Sequence, residues 1–141
     1  RKFKIAVTRL VDMGVEPFLI ASSLLGVLAQ RLVRRICPDC KEPYRLDGPR
    51  LERLGFLEDQ DLWRGAGCDA CLGTGYRGRT GIFELLSVDE EVRRLVTSGA
   101  DSVRIREAAV KGGMRTLFSD GLDKVKQGLT SLDEVLRVTQ E

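Results

Sequence analysis

Two cysteine pairs constrain this chain more than any other feature of its sequence. All four cysteines lie in C-x-x-C units, Cys37 with Cys40 and Cys68 with Cys71, and the 141 residues include no histidine. A two-residue gap lets both thiolates of one turn reach a single ion, and four thiolates complete the tetrahedral shell that zinc prefers. The spacing therefore predicts a structural zinc site that is closed to water and carries no catalytic chemistry.

Other uses of the cysteines stay open on the residues alone. They are a redox dithiol, an iron–sulfur cluster, or four thiols without a function, although the first pair lacks the βαβ pattern expected of a redox motif. The segment CDACLGTG, which starts at Cys68, also matches the unit that DnaJ-type chaperones repeat four times in their zinc region. This chain has one such unit, which favours shared turn geometry over chaperone function.

The segment around the cysteines differs in composition from its flanks. Residues 39–81 are rich in glycine, and only residues 49–54, with Pro49 at the start, predict a short helix. A segment with so few apolar residues needs a cross-link, such as a bound metal ion, to hold a defined shape. We therefore expect bound metal to decide whether it is ordered.

Composition narrows the function classes. The net charge of +2 gives no basis for bulk electrostatic binding to nucleic acid, and the nearly apolar run at 17–29 is too short for a bilayer span. Without a signal peptide we expect a reducing cytosol, where C-x-x-C pairs favour metal over disulfides. The abrupt start at Arg1, without methionine, cap or turn residues, suggests a fragment of a longer protein.

The flanks of the cysteine segment predict helices and two strands. Strands are expected at 27–36, where a helical spacing competes with β-branched residues, and at 81–86. Gly121 is a point where a helix can break, and Ser87 with Glu90 and Ser131 with Glu134 read as capping boxes. The predicted helices span residues 5–13, 17–26, 87–96, 102–111, 116–127 and 131–138.

Three strings in a fixed order carry a resemblance to a known family. They are TRLVDMGVEPFLIASSLLGVLAQRLVRRICPDCKEPY, CDACLGTGYRGRTGIFELL and DGLDKVKQGLTSLDEVLRVT. The chain resembles the C-terminal part of the ATPases of type II secretion systems, the general secretion pathway protein E family. The related assembly ATPases of type IV pili share most of these strings and remain an alternative. The resemblance covers the chain from Ala6 to Thr139.

The resemblance implies a fold and a cellular setting. It implies an α+β chain made of the end of a RecA-like α/β subdomain (1–36), an inserted tetracysteine module (37–80), and a strand plus C-terminal helical subdomain (81–141). The parent would be a homo-hexamer at the cytoplasmic face of the inner membrane, peripheral there through platform proteins and without direct membrane insertion. ATP turnover by the parent would power pseudopilus assembly and protein export.

One family motif is absent from the sequence. No G-x-x-x-x-G-K-[ST] loop occurs, so the chain lacks the amides and lysine that cradle phosphates and the hydroxyl that binds magnesium. ATP and Mg²⁺ would bind only in the full-length parent, and we expect no ATP hydrolysis by this chain alone. By resemblance, Arg9 and Arg79 stabilise charge near the phosphates; the alternatives are a solvated helix face for Arg9 and a strand-end ion pair for Arg79. Arg31 and Arg34 are interpreted as surface residues.

Two further function classes compete with this interpretation. A dithiol oxidoreductase would use the cysteines as a redox pair. A free-standing zinc-ribbon module could use Gly75 to Arg79, which pairs an aromatic ring with arginines, to bind nucleic acid or protein. Because acidic residues surround that segment, we expect no nucleic-acid partner. They are Asp39, Asp47, Glu52, Glu58, Asp59, Asp61 and Asp69.

Overall fold

The chain mixes helices with two small sheets. A computed structural model describes residues 2–56 and 60–140, and the side chains of residues 2–5 are outside that description. Across these ranges, none of the helices is long and apolar enough to cross a membrane. The elements in chain order are α1 (Lys2–Asp12), α2 (Pro17–Ser23), β1 (Gly26–Ile36), β2 (Lys41–Tyr44), α3 (Gly48–Arg53), β3 (Leu62–Gly65), β4 (Tyr76–Ser87), α4 (Glu90–Thr97), α5 (Ser102–Lys111), α6 (Leu117–Lys126) and α7 (Leu132–Thr139).

The first of two compact units comprises Arg1–Gln30 and Phe83–Thr116. Helix α2 packs on α4, and α4 on α5, because each presents small or branched apolar residues at helical spacing. The unit also contains the first part of β1 and the last part of β4. Its buried core consists of Ile20, Ala21, Leu86, Val88, Val92, Val96, Ile105 and Ala109.

The second unit comprises Arg31–Ile82 and Leu117–Glu141. Its core joins strand residues Val33 and Ile82 to helices α6 and α7. Leu51, Phe56 and Leu62 also belong to this core and are 3%, 1% and 0% exposed, although all three come from the cysteine-bearing segment. Each such side chain contributes about 1.5–3 kcal/mol on burial. Apolar burial therefore fixes part of this segment, and the dependence of its order on metal stays a prediction.

The strand predicted at 27–36 is confirmed and pairs with β4. Along residues 28–34, exposed residues alternate with Ala29, Arg31 and Val33, which are buried or partly buried, and this two-residue period is that of a strand. The other flanking strand starts at Tyr76, five residues before the prediction, because the Gly-Arg run that reads as a loop continues the strand. The residues between β1 and β4 hold all four cysteines.

Strands β2 and β3 were not predicted. They pair antiparallel, with Lys41 opposite Gly65 and Tyr44 opposite Leu62. Pro43 lies within β2, and a proline inside so short a segment masks the strand pattern. The pair brings the end of the first cysteine turn beside the start of the second.

Neither of the two predicted capping boxes forms as expected. The proposed box of Ser87 with Glu90 is wrong, because Ser87 ends β4 and Asp89 caps α4 by accepting a hydrogen bond from the Val92 amide at 2.9 Å. Ser131 does cap α7, since its hydroxyl accepts from the Glu134 amide at 3.2 Å. The Glu134 carboxylate, however, binds arginines rather than closing a capping box.

Helix α6 runs through Gly121 without a break. A Cβ at this position would lie 2.5 Å from Cγ1 of Val135, a fully buried residue of α7. Close packing of the two helices thus requires glycine where helix propensity alone would favour alanine.

We expect Gly121→Ala to destabilise the chain by about 1–2 kcal/mol. The gain of about 1 kcal/mol in helix propensity is outweighed by overpacking against the stiff valine. Denaturant unfolding of the single variant, Val135→Ala and the double variant measures the coupling. The cost of Gly121→Ala should vanish in the Val135→Ala background; an equal cost in both would show that Val135 is not the obstacle.

The domain ranges 1–36, 37–80 and 81–141 stay predictions. Helices α4 and α5 belong to the first unit, and α6 and α7 to the second. Of the acidic residues predicted around the cysteine module, Glu58 and Asp59 lie outside the described residues, as do Arg1 and Glu141 at the ends of the predicted ranges.

Candidate metal centre

The structure brings the sulfurs of Cys37, Cys40, Cys68 and Cys71 together. All four Sγ atoms lie within 4.8 Å of one another. The separations are 3.8 Å for Cys37 to Cys68, 3.8 Å for Cys40 to Cys71 and 3.7 Å for Cys68 to Cys71. A tetrahedron with metal–sulfur bonds of about 2.3 Å has edges of about 3.8 Å, whereas a disulfide measures about 2.05 Å. The donor set therefore fits one tetrahedral metal ion.

Two backbone turns aim the sulfurs at one point. In the first turn, Cys37 follows β1 and its amide donates to the Gly75 carbonyl at 3.0 Å, while the Cys40 amide donates to Cys37 at 3.4 Å. In the second turn, Asp69–Cys71 forms one turn of 3₁₀ helix and the Gly73 amide closes on the Cys68 carbonyl at 2.8 Å. Each turn thus presents its two thiols on the same side.

Backbone amides also point at the sulfurs. The amides of Cys68 and Gly75 each donate to Cys71 Sγ at 3.2 Å, and the Gly67 amide donates to Cys40 Sγ at 3.3 Å. Burial raises the pKa of the Cys71 thiol, but the hydrogen bonds that this sulfur accepts outweigh the effect of burial and lower the pKa to about 6. For Cys40, burial dominates and raises the pKa to about 12 against the single amide of Gly67. Amide donors of this kind stabilise the thiolate form that ligates metal.

Two glycines let the backbone close around the site. A Cβ on Gly75 would lie 2.5 Å from the Gly65 carbonyl oxygen, and one on Gly65 would lie 2.0 Å from that of Gly75. Gly75 also has φ +79°, which disfavours any side chain. This close approach holds the amide of Gly75 on Cys71.

We expect Gly75→Ala to weaken metal affinity about 10–100-fold, the usual cost of disturbing groups that orient metal ligands. Gly73→Ala is the matched control, since Gly73 has φ +77° but no atom within 4 Å of its added Cβ. Competition with a zinc chelator measures both affinities. Equal losses in the two variants would assign the effect to φ strain alone and remove the role of the Gly65–Gly75 approach.

A buried carboxylate ties the strand before Cys37 to the last helix. Glu134 is 1% exposed. Its oxygens accept from the Arg34 amide at 2.8 Å, from Arg34 Nε and Nη2 at 3.0 and 2.8 Å, and from Arg137 Nε and Nη2 at 2.9 and 3.0 Å. Burial raises the pKa of Glu134, but the bonds from Arg137 and Arg34 outweigh it and lower the pKa to about 2.

Neighbouring groups extend this network. Thr130 donates to the Arg34 carbonyl at 2.7 Å, and the Ile36 amide donates to Leu129 at 3.0 Å. The Arg34 guanidinium lies 4.2 Å from the Tyr76 ring centroid, so one face of that ring is covered. The segment that delivers Cys37 is thereby fixed to α7 and the turn that precedes it.

Arg34 is exposed, as interpreted, with 46% of its side chain accessible, but its guanidinium is also bound to the buried Glu134. Its partner Glu134 lies at the position of a capping-box glutamate, which disguises its role in the sequence. A pairing across so many residues leaves no periodic signal. A glutamate among the apolar residues of α7 was the one available hint.

The two arginines predicted to stabilise charge lie in different units. Arg9 is exposed on α1 of the first unit. Arg79 is exposed in the second unit and lines an open cleft of about 630 Å³ with Arg34, Tyr76 and Arg137. In the part of the chain that the structure describes, Arg79 forms no ion pair, which disfavours the strand-end alternative.

Comparison with protein families identifies proteins that are similar in sequence to this chain. The model of the family described as type II/IV secretion system protein matches residues 2–137. The chain belongs to this family. The sequence resemblance is therefore confirmed, and the tetracysteine cluster is a feature of a type II/IV secretion system protein.

Curated members of the type II/IV secretion family are similar over nearly the whole chain. The type II secretion system ATPase E of Vibrio cholerae is 54% identical over 96% of this chain, and the type II secretion system protein HxcR of Pseudomonas aeruginosa is 52% identical over 96%. The type IV pilus assembly ATPase PilB of Thermus thermophilus is 50% identical, also over 96%. The chain spans 27%, 26% and 16% of these relatives respectively.

Proposed function

We propose that this chain is the zinc-binding C-terminal part of a secretion ATPase that powers pseudopilus assembly and protein export by type II secretion. The proposal depends on sequence identity: about half of the aligned residues are identical to those of type II secretion proteins of this family, over nearly the whole chain. Identity to type II relatives ranges from 48% to 54%, and identity to two pilus ATPases is 50% and 44%, so the two ranges overlap. The corresponding part of a type IV pilus assembly ATPase is the second candidate.

Within the parent, the cysteine cluster would serve as a structural zinc site. Cys37, Cys40, Cys68 and Cys71 would supply four thiolates, and the bound ion would add rigidity rather than reactivity because no coordination position is left for water. The chain's own residues prepare the site, with amides on Cys71 and Cys40 and glycines that allow the turns to close. The order of this module would then depend on metal.

The cellular setting follows from the same kinship. The parent would act as a homo-hexamer in the cytoplasm, at the inner membrane through platform proteins rather than by direct insertion. Nucleic acid would not be a partner. The modules would be the end of a RecA-like core at 1–36, the metal module at 37–80, and a strand with terminal helices at 81–141.

Catalysis would belong to the parent. The phosphate-binding loop is absent from this sequence, so ATP and Mg²⁺ would bind elsewhere in the full-length protein. Arg9 and Arg79 would stabilise negative charge near the phosphates, a role for which exposed guanidinium groups are suited. Both side chains are exposed, which leaves their guanidinium groups accessible.

Measurement of ATP turnover tests these assignments. We expect the purified chain with ATP and Mg²⁺ to show no turnover that scales with its concentration, while the full-length parent hydrolyses ATP. In the parent, Arg9→Ala and Arg79→Ala should each lower turnover at least tenfold, and Arg104→Ala, an exposed arginine on α5, should not. Activity of the isolated chain, or full activity of both arginine variants, would refute the corresponding assignment.

A further inference from the structure

Three cationic side chains line an open cleft of about 340 Å³ in the second unit, beside the first cysteine turn. They are Arg35, Lys41 and Arg77, all of them exposed, and the apolar residues Ile36, Pro38 and Leu129 also line the cleft. The cleft contains none of the four sulfurs. Neither the metal site nor the proposed catalytic arginines account for it.

Specific contacts hold two of these cations in place. The Lys41 ammonium lies 4.7 Å from the Trp63 ring centroid. A Cβ on Gly128 would lie 2.5 Å from Lys41 Nζ, so the bare glycine leaves room for the ammonium at the wall of the cleft. Arg77 Nη1 lies 3.6 Å from a carboxylate oxygen of Asp39.

The cleft carries more positive than negative charge. Asp39 faces Arg77, and the neighbouring Arg34 is occupied by Glu134. Arg35 has no ion-pair partner among the described residues, and neither does Lys41. Three cations converging on one concave surface with a single opposing carboxylate form a site for an anionic group.

The surroundings favour carboxylates of a protein over a polyanion. Asp39 and Glu42 flank the cations and limit the extent of the positive surface, so an extended phosphate backbone or a flat anionic membrane would reach past the cations to like charge, whereas a short acidic segment would not. The Trp63 ring is covered on one face by Lys41, which leaves a poor platform for stacking bases. Pro38 and Leu129 offer apolar contact between the cations, which suits a segment that alternates acidic with apolar residues.

We propose that this cleft binds an acidic segment of a partner protein. Carboxylates of the partner lie among Arg35, Lys41 and Arg77, and an apolar side chain of the partner rests against Pro38 and Leu129. Because Pro38 and Lys41 flank cysteines of the first turn, docking here contacts the metal module directly.

Fluorescence anisotropy on the purified, zinc-loaded chain tests the proposal. The probe is a fluorescein-labelled hexapeptide of alternating glutamate and leucine, and its affinity should fall as salt rises. Arg35→Glu should weaken binding at least tenfold, since it places like charge against the peptide. Arg35→Lys should stay within about threefold of the original affinity, and Arg104→Glu, on α5 of the first unit, should leave it unchanged.

Each outcome decides the proposal. If the Arg35→Glu variant does not bind zinc or does not unfold cooperatively on heating, the Arg77→Glu variant is tested instead, and it should also weaken peptide binding at least tenfold. The proposal is overturned if the peptide does not bind at low salt, or if the charge reversals and the control affect it equally. It is also overturned if vesicles containing phosphatidylglycerol, or a single-stranded oligonucleotide, bind this cleft more tightly than the peptide.

Discussion

Removing the metal from the purified chain should disorder the cysteine module. Elemental analysis should find one zinc per chain, and chelation should abolish amide protection in the two cysteine turns and lower it in β2 and β3. Structural zinc contributes on the order of 10 kcal/mol in small sites, which exceeds the stability of a typical domain. Without the ion, thiols that lie 3.7–3.8 Å apart are joined only by weak S–H···S hydrogen bonds.

The loss should be uneven along the second unit. Leu51, Phe56 and Leu62 are buried in the apolar core, so the segment that carries them should keep part of its protection after chelation. The turns at Pro38 and Leu72 have exposed side chains and no such anchor. Hydrogen exchange, followed residue by residue with far-ultraviolet circular dichroism alongside, measures this gradient.

Controls separate metal from other uses of the thiols. Adding zinc back should restore protection, and Cys68→Ser should reproduce the disordered pattern without a chelator. A chain that is metal-free yet fully ordered would contradict the structural zinc site. Cysteines joined in disulfides would contradict it as well, and visible absorption from bound iron would replace zinc by an iron–sulfur cluster.

Replacing Glu134 by glutamine should cost about 3 kcal/mol of unfolding free energy at neutral pH. The environment lowers the pKa of this carboxyl from its ordinary value of 4.5 to about 2, and each pKa unit corresponds to about 1.4 kcal/mol. Glutamine keeps the size of the side chain but removes the charge that binds Arg34 and Arg137. Denaturant unfolding of both proteins with zinc bound gives the difference at neutral pH.

The sign of the pH dependence follows from the lowered pKa. The unfolded chain binds this proton more tightly than the folded chain, so the stabilisation is complete above about pH 4.5 and is lost as pH falls toward about 2. The gap between the original chain and Glu134→Gln should therefore close over that interval. Acid release of metal affects both proteins and cancels in the comparison.

Glu107→Gln is the matched control, because Glu107 is an exposed residue of α5. Its unfolding free energy should stay within about 0.5 kcal/mol of the original. A cost for Glu134→Gln no larger than this, or a gap that persists unchanged at pH 2, would show that the two arginines do not stabilise the fold through this carboxylate.

Local patterns were sufficient for much of the fold. Gly112 and Pro17 mark ends of helices in the structure, and strand β1 was readable from its β-branched residues Val27, Val33 and Ile36. These features depend on neighbours in sequence, where backbone conformation and side-chain spacing leave a direct record. The short pair of β2 and β3 was not readable, because each strand has only four residues and β2 contains Pro43.

Long-range polar pairing was beyond sequence reasoning. Glu134 looks like a capping glutamate, and nothing in the sequence pairs it with Arg34, until the fold brings strand and helix together. Gly121 looks like a flaw in a helix until Val135 is found against it. In each case the deciding contact joins residues that are distant in the chain.

The sequence by itself determined the candidate ligand set and the family. The chain has four cysteines in two C-x-x-C pairs and no histidine, so these thiolates are the soft donors that it offers to a metal. Three sequence strings in a fixed order identify the family. Only the tertiary structure decided how the site is built. Three features depend on distances between segments that are remote in the chain: the hydrogen bonds from backbone amides to sulfur, the close approach of Gly65 to Gly75, and the ion pairs of the buried Glu134. Such distances are set only when the chain has folded.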